Sequence, residues 1–342
     1  MPFDPFERVS VGRTSLTVTR LALGGASIGG LFRPVTDGDA SAVIEHAWSI
    51  GIRSFDVAPL YGYGAAERRL GDVLAGRPRD EFVISTKVGR LVRAVGQMQP
   101  GDDVDHQAID GRDDAYYADT AGRRIVFDYS YDGVRRSVEA SLQRLGLSRI
   151  DILYIHDPDT HWREAIEGAY PALERLRADG VVRAIGAGMN QSEMLARFAV
   201  ETDMDVLLVA NRYTLLDQGA LPELLPRCLE RGIAVMVGGV MNSGVMADPR
   251  PGSRFDYGPA PSAVVERGRR IAEVCQRLGV PLRAAAIQFP LAHPAVTGLI
   301  AGVRTAAHLD DYPASLRMAI PAALWDELRQ DGLIAAGAPT PG

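Results

Sequence analysis

Short, nearly continuous apolar runs alternate along this chain with stretches whose apolar residues recur at helical spacing. The runs beginning at Leu21, Phe55, Phe82, Ile152, Val181, Val206, Ala234 and Thr297 read as eight buried strands. Between them the spacing predicts helices from Asp37 to Gly51 and from about Gly64 to Ala75, Asp132 to Leu145 and Trp162 to Ala178. The second half repeats the rhythm with QSEMLARFAV, LPELLPRCLERG, Ser262 to Leu278, Leu282 to Leu291 and RTAAHLDDY. Strand-helix alternation with eight strands predicts an α/β protein, a closed (β/α)8 TIM barrel forming a single domain over residues 1–342. A doubly wound open sheet is the alternative, but no G-x-G-x-x-G follows the first strand, TRLALGG.

Three segments lie outside the repeat. Ahead of it, ERVSVGRTSLTVTRL alternates around a tight turn and predicts an N-terminal β-hairpin that plugs or covers one barrel end. Behind it, PAALWDELRQDG predicts a last helix. Within it, residues from about Arg90 to Arg124, rich in Gly, Asp, Tyr and Gln, form a long irregular loop after the third strand. Such loops are functional or disordered, and this one leaves from the face where barrel enzymes carry their sites.

Three strands end on a polar group: SFD on Asp56, ISTK on Lys87 and IDILYIH on His156. If they are neighbours in a parallel sheet, a carboxylate, an ammonium and an imidazole lie about 5 Å apart from strand to strand. Tyr61 stands beside them in the loop PLYGYG. Singly, each has an ordinary reading: a loop aromatic, an ion pair, a satisfied core histidine. Together, at the ends of successive barrel strands, they read as an acid/base site. A metal-dependent hydrolase is disfavoured, because His156 has no histidine partner at ligand spacing.

Composition narrows the partners. The 342 residues are 46% hydrophobic and 23% charged, enough to bury a large core, and a net charge of −6 with no basic stripe argues against a nucleic-acid surface. A small-molecule substrate fits better. Cys228 and Cys275 both fall in helix-like contexts, which predicts burial as small apolar residues in a reducing compartment. MPFDPFERVS lacks a positive flank followed by an apolar run, and no stretch has the length of a membrane span, so the expectation is a cytoplasmic protein with no membrane partner.

Along its whole length the sequence resembles the aldo-keto reductases. FDVAPLYGYGAAERRLG carries the family's aspartate and tyrosine, ISTKVG its lysine, DILYIHDPD its histidine, and AIGAGMN the segment that holds the nicotinamide amide. FDYSYDGVRRSVEASLQRLG, the HDPD ending and VMNSGVM are most similar to the bacterial NAD(P)-linked aldose dehydrogenases, and members that oxidise pyridoxal are similar too. The resemblance implies metal-free hydride transfer between NAD or NADP and the anomeric carbon of an aldose such as L-fucose or a D-threo-aldose. An NADPH-dependent aldehyde or ketone reductase, a pyridoxal dehydrogenase and a cofactor-sensing regulatory subunit are the alternatives.

In that chemistry a tyrosine must give or take a proton, yet a free phenol with a pKa of about 10 is poorly matched to neutral pH. The expectation is that Lys87 lowers the pKa of Tyr61, Asp56 holds Lys87, and His156 donates to the substrate oxygen. The family pattern places the cofactor on Gly25, Asp56, Asn190, Ser243, Gly302, Arg304 and His308. Asn190 equally suits a helix cap. Several family positions differ: Met189, Ala210 and Gly238 replace a serine, a glutamine and a stacking tyrosine, while Gly302 and His308 replace the two cations of strongly NADP-selective members. Arg304, either a partial substitute or a solvated helix-start arginine, is the one nearby fixed cation on this reading.

Overall fold

The computed structural model describes residues 2–106, 117 and 122–342. Its strands in chain order are β1 (Arg8–Ser10), β2 (Thr17–Thr19), β3 (Leu21–Gly24), β4 (Ser54–Asp56), β5 (Val83–Val88), β6 (Arg90–Ala94), β7 (Arg123–Phe127), β8 (Ile152–His156), β9 (Ala184–Met189), β10 (Val206–Ala210), β11 (Ala234–Gly238), β12 (Arg254–Phe255), β13 (Gly258–Pro259) and β14 (Val296–Ala301). Eight of them close a parallel barrel in the order β3-β4-β5-β8-β9-β10-β11-β14, with β14 returning to β3. This is the (β/α)8 architecture that the alternation predicts, and each strand feeds a helix that covers the outside. One strand start moves by more than a residue. Val181 is exposed in the turn that Gly180 opens with a left-handed φ, so the fifth barrel strand begins at Ala184.

The hairpin β1-β2 plugs the N-terminal end of the barrel. Val11, Leu16 and Val18 pack with the inward side chains Ala22, Val83, Ile152, Ala184, Val206 and Ala234 in one buried cluster. The C-terminal ends of the strands are left for the site.

The helices follow the apolar spacing closely, and two departures among them and one in the long loop have local causes. The first, α1 (Asp37–Ile50), is capped by Thr36, whose Oγ accepts from the Asp39 N–H, so the cap lies one residue before the acidic start. The helix expected over residues 162–178 contains a π-helical turn at Ala165–Ala169, where the Tyr170 N–H reaches back to Ala165. Pro171 follows, and without an N–H it breaks the regular ladder there. The segment expected to be irregular from Arg90 to Arg124 is paired at both ends: β6 and β7 run antiparallel, and their pairing buries Leu91, Ile125 and Val126. The middle of that expected loop, 107–116 and 118–121, lies outside the described residues.

Candidate active site

Asp56, Lys87 and His156 all point into the barrel at its C-terminal end, but they are not level. Asp56 pairs with Ser85, Lys87 with Tyr154, and His156 with Gly188. Each polar residue therefore stands two positions, roughly 7 Å, further along than its neighbour. The stagger is the shear that a closed barrel requires, and it corrects the level spacing of about 5 Å expected for flat neighbouring strands. Length compensates for stagger: the lysine side chain spans the step, and Lys87 Nζ donates to Asp56 Oδ2 at 2.7 Å and to the Val57 carbonyl at 3.0 Å. Ser85 Oγ donates to the other oxygen, Asp56 Oδ1, at 2.8 Å. Both members of the ion pair are buried.

Tyr61 meets this pair from the loop after β4. Lys87 Nζ lies 4.6 Å from the centre of its ring, and the His156 ring stands edge-on to it, with centroids 5.9 Å apart and planes at 90°. The Tyr61 phenol is pushed well above its ordinary range, first by burial and then by the Asp56 carboxylate, with Tyr257 and Asp157 adding and Arg90 opposing. That reverses the expected direction. The lysine is turned to Asp56, so enclosure and carboxylates outweigh cations in their hold on the phenol.

His156 is held well below its usual range by burial, with Arg90 and Lys87 reinforcing, so the imidazole is neutral. Its Nε2 faces Asp157 Oδ2 at 3.4 Å and its Nδ1 is buried without a partner among the described residues. Tyr129 fixes the strand end by donating its hydroxyl to the carbonyls of His156 (2.6 Å) and Asp157 (3.0 Å). Asp157 adopts a left-handed φ of 39° and its carboxyl is raised to about 6, mainly by burial. Arg90, 3% exposed, binds Asp105 at 2.6 Å and Asp157 at 3.2 Å. Sequence reasoning assigned neither Arg90 nor Asp157. The only signal was their position directly after strand ends, in TKVGR and HDPD.

Two cavities meet at Tyr61. The first, about 340 Å³, is walled by glycine-rich backbone at Gly24, Gly25, Gly238 and Gly302, and six expected cofactor contacts line it: Gly25, Asp56, Ser243, Gly302, Arg304 and His308. The second, about 240 Å³, holds Lys87, Arg90, His156, Asp157, Asp159 and Asn190. Tyr61 and Tyr257 line both. Asn190, expected with the cofactor group, thus lines the smaller chamber and reaches the larger through Asn211, whose Nδ2 donates to Asn190 Oδ1 at 3.0 Å. It is not a helix cap, since Gln191 occupies that position before the helix Ser192–Glu201.

Among the described residues Asn211 Oδ1 is buried without a partner in the wall of the larger cavity, an acceptor suited to a carboxamide NH2. Ser243 Oγ accepts from the Tyr257 N–H at 3.0 Å, which leaves the hydroxyl proton to donate. Tyr257, on the β12-β13 turn, supplies an aromatic ring on a cavity wall where Gly238 lacks one. Arg304 is half-buried rather than solvated. Its Nη2 donates to the Leu31 carbonyl at 3.1 Å, and burial with Arg33 nearby holds its guanidinium below the usual value. Nor is it the one fixed cation there, because Arg283 lines the same cavity, paired with Asp311. The glycine walls and the orphan Asn211 acceptor fit a dinucleotide that carries a carboxamide.

Cys228 and Cys275 are free and buried, and burial raises both thiols to about 12. Among the described residues no helix is long and apolar enough to cross a membrane, and no three His, Cys, Asp or Glu side chains group as metal ligands.

A barrel with a glycine-walled cavity beside a buried Asp–Lys pair at its C-terminal face defines the class, a barrel oxidoreductase. The chain belongs to the aldo/keto reductase family, whose model matches residues 20–330. It is accordingly an NAD(P)-dependent oxidoreductase acting on CH–OH groups. It is 43% identical to a D-threo-aldose 1-dehydrogenase from Pseudomonas sp, over 95% of this chain and 96% of that one. It is also 42% identical to a pyridoxal 4-dehydrogenase from Microbacterium luteolum, over 96% and 98%. An aldo-keto reductase of Bacillus halodurans, solved in its holo form, shares the fold with a TM-score of 0.74 at 21% identity, covering 97% of this chain and 98% of that one.

Proposed function

We propose that this protein oxidises the anomeric carbon of an aldose, with Tyr61, Lys87, Asp56 and His156 as the working residues and a single barrel domain as the functional unit. The observation that carries the reading is the edge-on meeting of Tyr61 and His156 where the two cavities adjoin, one walled by glycine backbone and one holding His156 and Asp157. The 43% identity to an aldose dehydrogenase selects the substrate class. Bound in the larger cavity, the nicotinamide supplies the acceptor for the hydride that leaves C1. Oxidation needs Tyr61 first to release its own proton to solvent; the phenolate then takes the proton of the anomeric hydroxyl as the C=O bond forms, and neutral His156 orients that oxygen by hydrogen bonding. Lys87 and Asp56 hold each other beneath the Tyr61 ring and keep the pocket's charge arrangement. Gly25, Asn190, Asn211, Ser243 and Arg304 are the residues assigned to the cofactor, with Gly302 and His308 at its mouth.

Two observations favour neighbouring readings. The 42% identity to a pyridoxal dehydrogenase brings pyridoxal in as a substrate. The raised pKa of Tyr61 keeps its proton in place at neutral pH, which suits the reverse reaction, reduction of an aldehyde or ketone. Two buried thiols suit a reducing cytoplasm. Purified protein is to be incubated with NAD and NADP against a panel of aldoses, pyridoxal and simple alcohols, and with NADPH against aldehydes, following reduced cofactor by absorbance. Turnover confined to pyridoxal or to simple carbonyls would overturn the aldose assignment, and no turnover with any of them would overturn the catalytic one.

A further inference from the structure

The chain Asp105–Arg90–Asp157 is a buried ion cluster that proton transfer at Tyr61 does not use. Taking one guanidinium and two carboxylates out of water costs several kcal/mol per ion before pairing offsets it. Arg90 is 3% exposed and bound on both sides, at 2.6 Å to Asp105 and 3.2 Å to Asp157. Asp157 carries a φ that non-glycine residues rarely adopt, and two hydroxyl contacts from Tyr129 plus a bond from its N–H to the Gly188 carbonyl (3.0 Å) hold it there. Such over-determined strain aims one side chain, here the Asp157 carboxylate in the wall of the 240 Å³ chamber.

That carboxylate has room for a ligand. Arg90 Nη2 and His156 Nε2 both address the same oxygen, Oδ2, and the Asn190 N–H also bonds the carboxylate, whereas an ionised carboxylate accepts about four hydrogen bonds. Its side chain keeps 14% of its surface exposed on the chamber side of the cluster. His156 is the residue proposed to orient the reacting oxygen, and Asp157 Oδ2 lies 3.4 Å from its Nε2. Two acceptor and donor positions that close suit two oxygens carried on neighbouring carbons.

We propose that Asp157, braced by Arg90, is the specificity-determining acceptor for the hydroxyl on the carbon next to the one oxidised, the C2 hydroxyl of an aldose. This rests on the aldose reading above and deepens it. A substrate without that hydroxyl leaves a buried carboxylate unpaired, a penalty that a site built to bind hydroxyls uses to discriminate.

The test compares kcat/KM for an accepted aldose and its 2-deoxy counterpart, in the wild type and in Asp157→Asn, with saturating cofactor. The wild type is expected to prefer the 2-hydroxy sugar by about 10- to 100-fold, the range of a hydrogen bond to a charged group. In Asp157→Asn that ratio is expected to collapse toward unity, with most of the loss falling on the 2-hydroxy sugar. A wild-type ratio near one overturns the proposal even if the variant fails to fold. So does an equal loss on both sugars, which would make Asp157 a support for His156 alone. If the wild type turns over pyridoxal but no aldose, the substrate reading itself falls. Aldose turnover without 2-hydroxyl discrimination removes the Asp157 assignment and leaves that reading standing.

Discussion

Tyr61 is the residue on which the proposed chemistry turns, and its surroundings keep it protonated: burial and the Asp56 and Asp157 carboxylates raise its pKa against the pull of Arg90. Replacing it with Phe keeps the ring that packs against His156 and removes the proton carrier. Tyr61→Phe is expected to lower kcat by at least about 100-fold, with cofactor affinity little changed. Steady-state rates and cofactor titration check this, and near-normal turnover would remove Tyr61 from the mechanism. Asp157 predicts a pH dependence of its own. Its carboxyl titrates at about 6, facing Arg90, His156, Lys87, Asp159 and the Asn190 N–H. As pH falls through that value it gains a proton and loses its capacity as a charged acceptor, so kcat/KM on an aldose is expected to fall on the acid side. His156, neutral because its pKa is depressed, adds no second limb there. The acid limb should disappear in Asp157→Asn, and an identical limb in that variant would assign it to another group.

At the scale of elements, the decisive feature is how the strands pass one another. The period-2 alternation puts Asp56, Lys87 and His156 on the inner face, while barrel shear sets each two residues beyond the last. Small residues opposite them, Gly188, Ala210 and Gly238, leave the volume that the cavities occupy. Elsewhere small residues serve close approach. A Cβ on Gly186 would lie 1.7 Å from the Val206 carbonyl oxygen, on the adjoining strand β10, to which Gly186 is registered. Gly186→Ala must therefore push β9 from β10 or twist the carbonyl away, and a loss of at least about 1–3 kcal/mol is expected, as for overpacked cores. A urea midpoint equal to that of the wild type would show that the two strands separate without cost.

The whole molecule decides cofactor choice, because residues from distant segments close over one cavity. Gly302 and His308 supply no fixed cation, Arg283 is paired with Asp311, and Arg304 spends one nitrogen on the Leu31 carbonyl. A 2′-phosphate is held best by an arginine fork or a lysine, so NAD is expected to be used at least as well as NADP. Arg304→Ala should weaken NADP more than NAD, and added salt should do the same, since exposed charge pairs are screened beyond about 10 Å at ordinary ionic strength. Comparing kcat/KM for both cofactors in wild type and variant tests this. A strong NADP preference that survives the substitution would refute the account. By itself the sequence determined the eight-strand alternation, the hairpin, nearly all the helices, and the four polar residues at strand ends and in the first loop. Those signals are local: hydrophobic period and a charge at the end of an apolar run can be read within a dozen or so residues. Only the tertiary structure decided the stagger between strands and the pairing of Arg123–Phe127 with Arg90–Ala94. It also decided the inward turn of Arg304 and the bond from Arg90 to Asp157, a residue 67 positions away. The upward direction of the Tyr61 pKa belongs with these, because register, shear and burial are set by how all eight strands close, and no single segment carries that information.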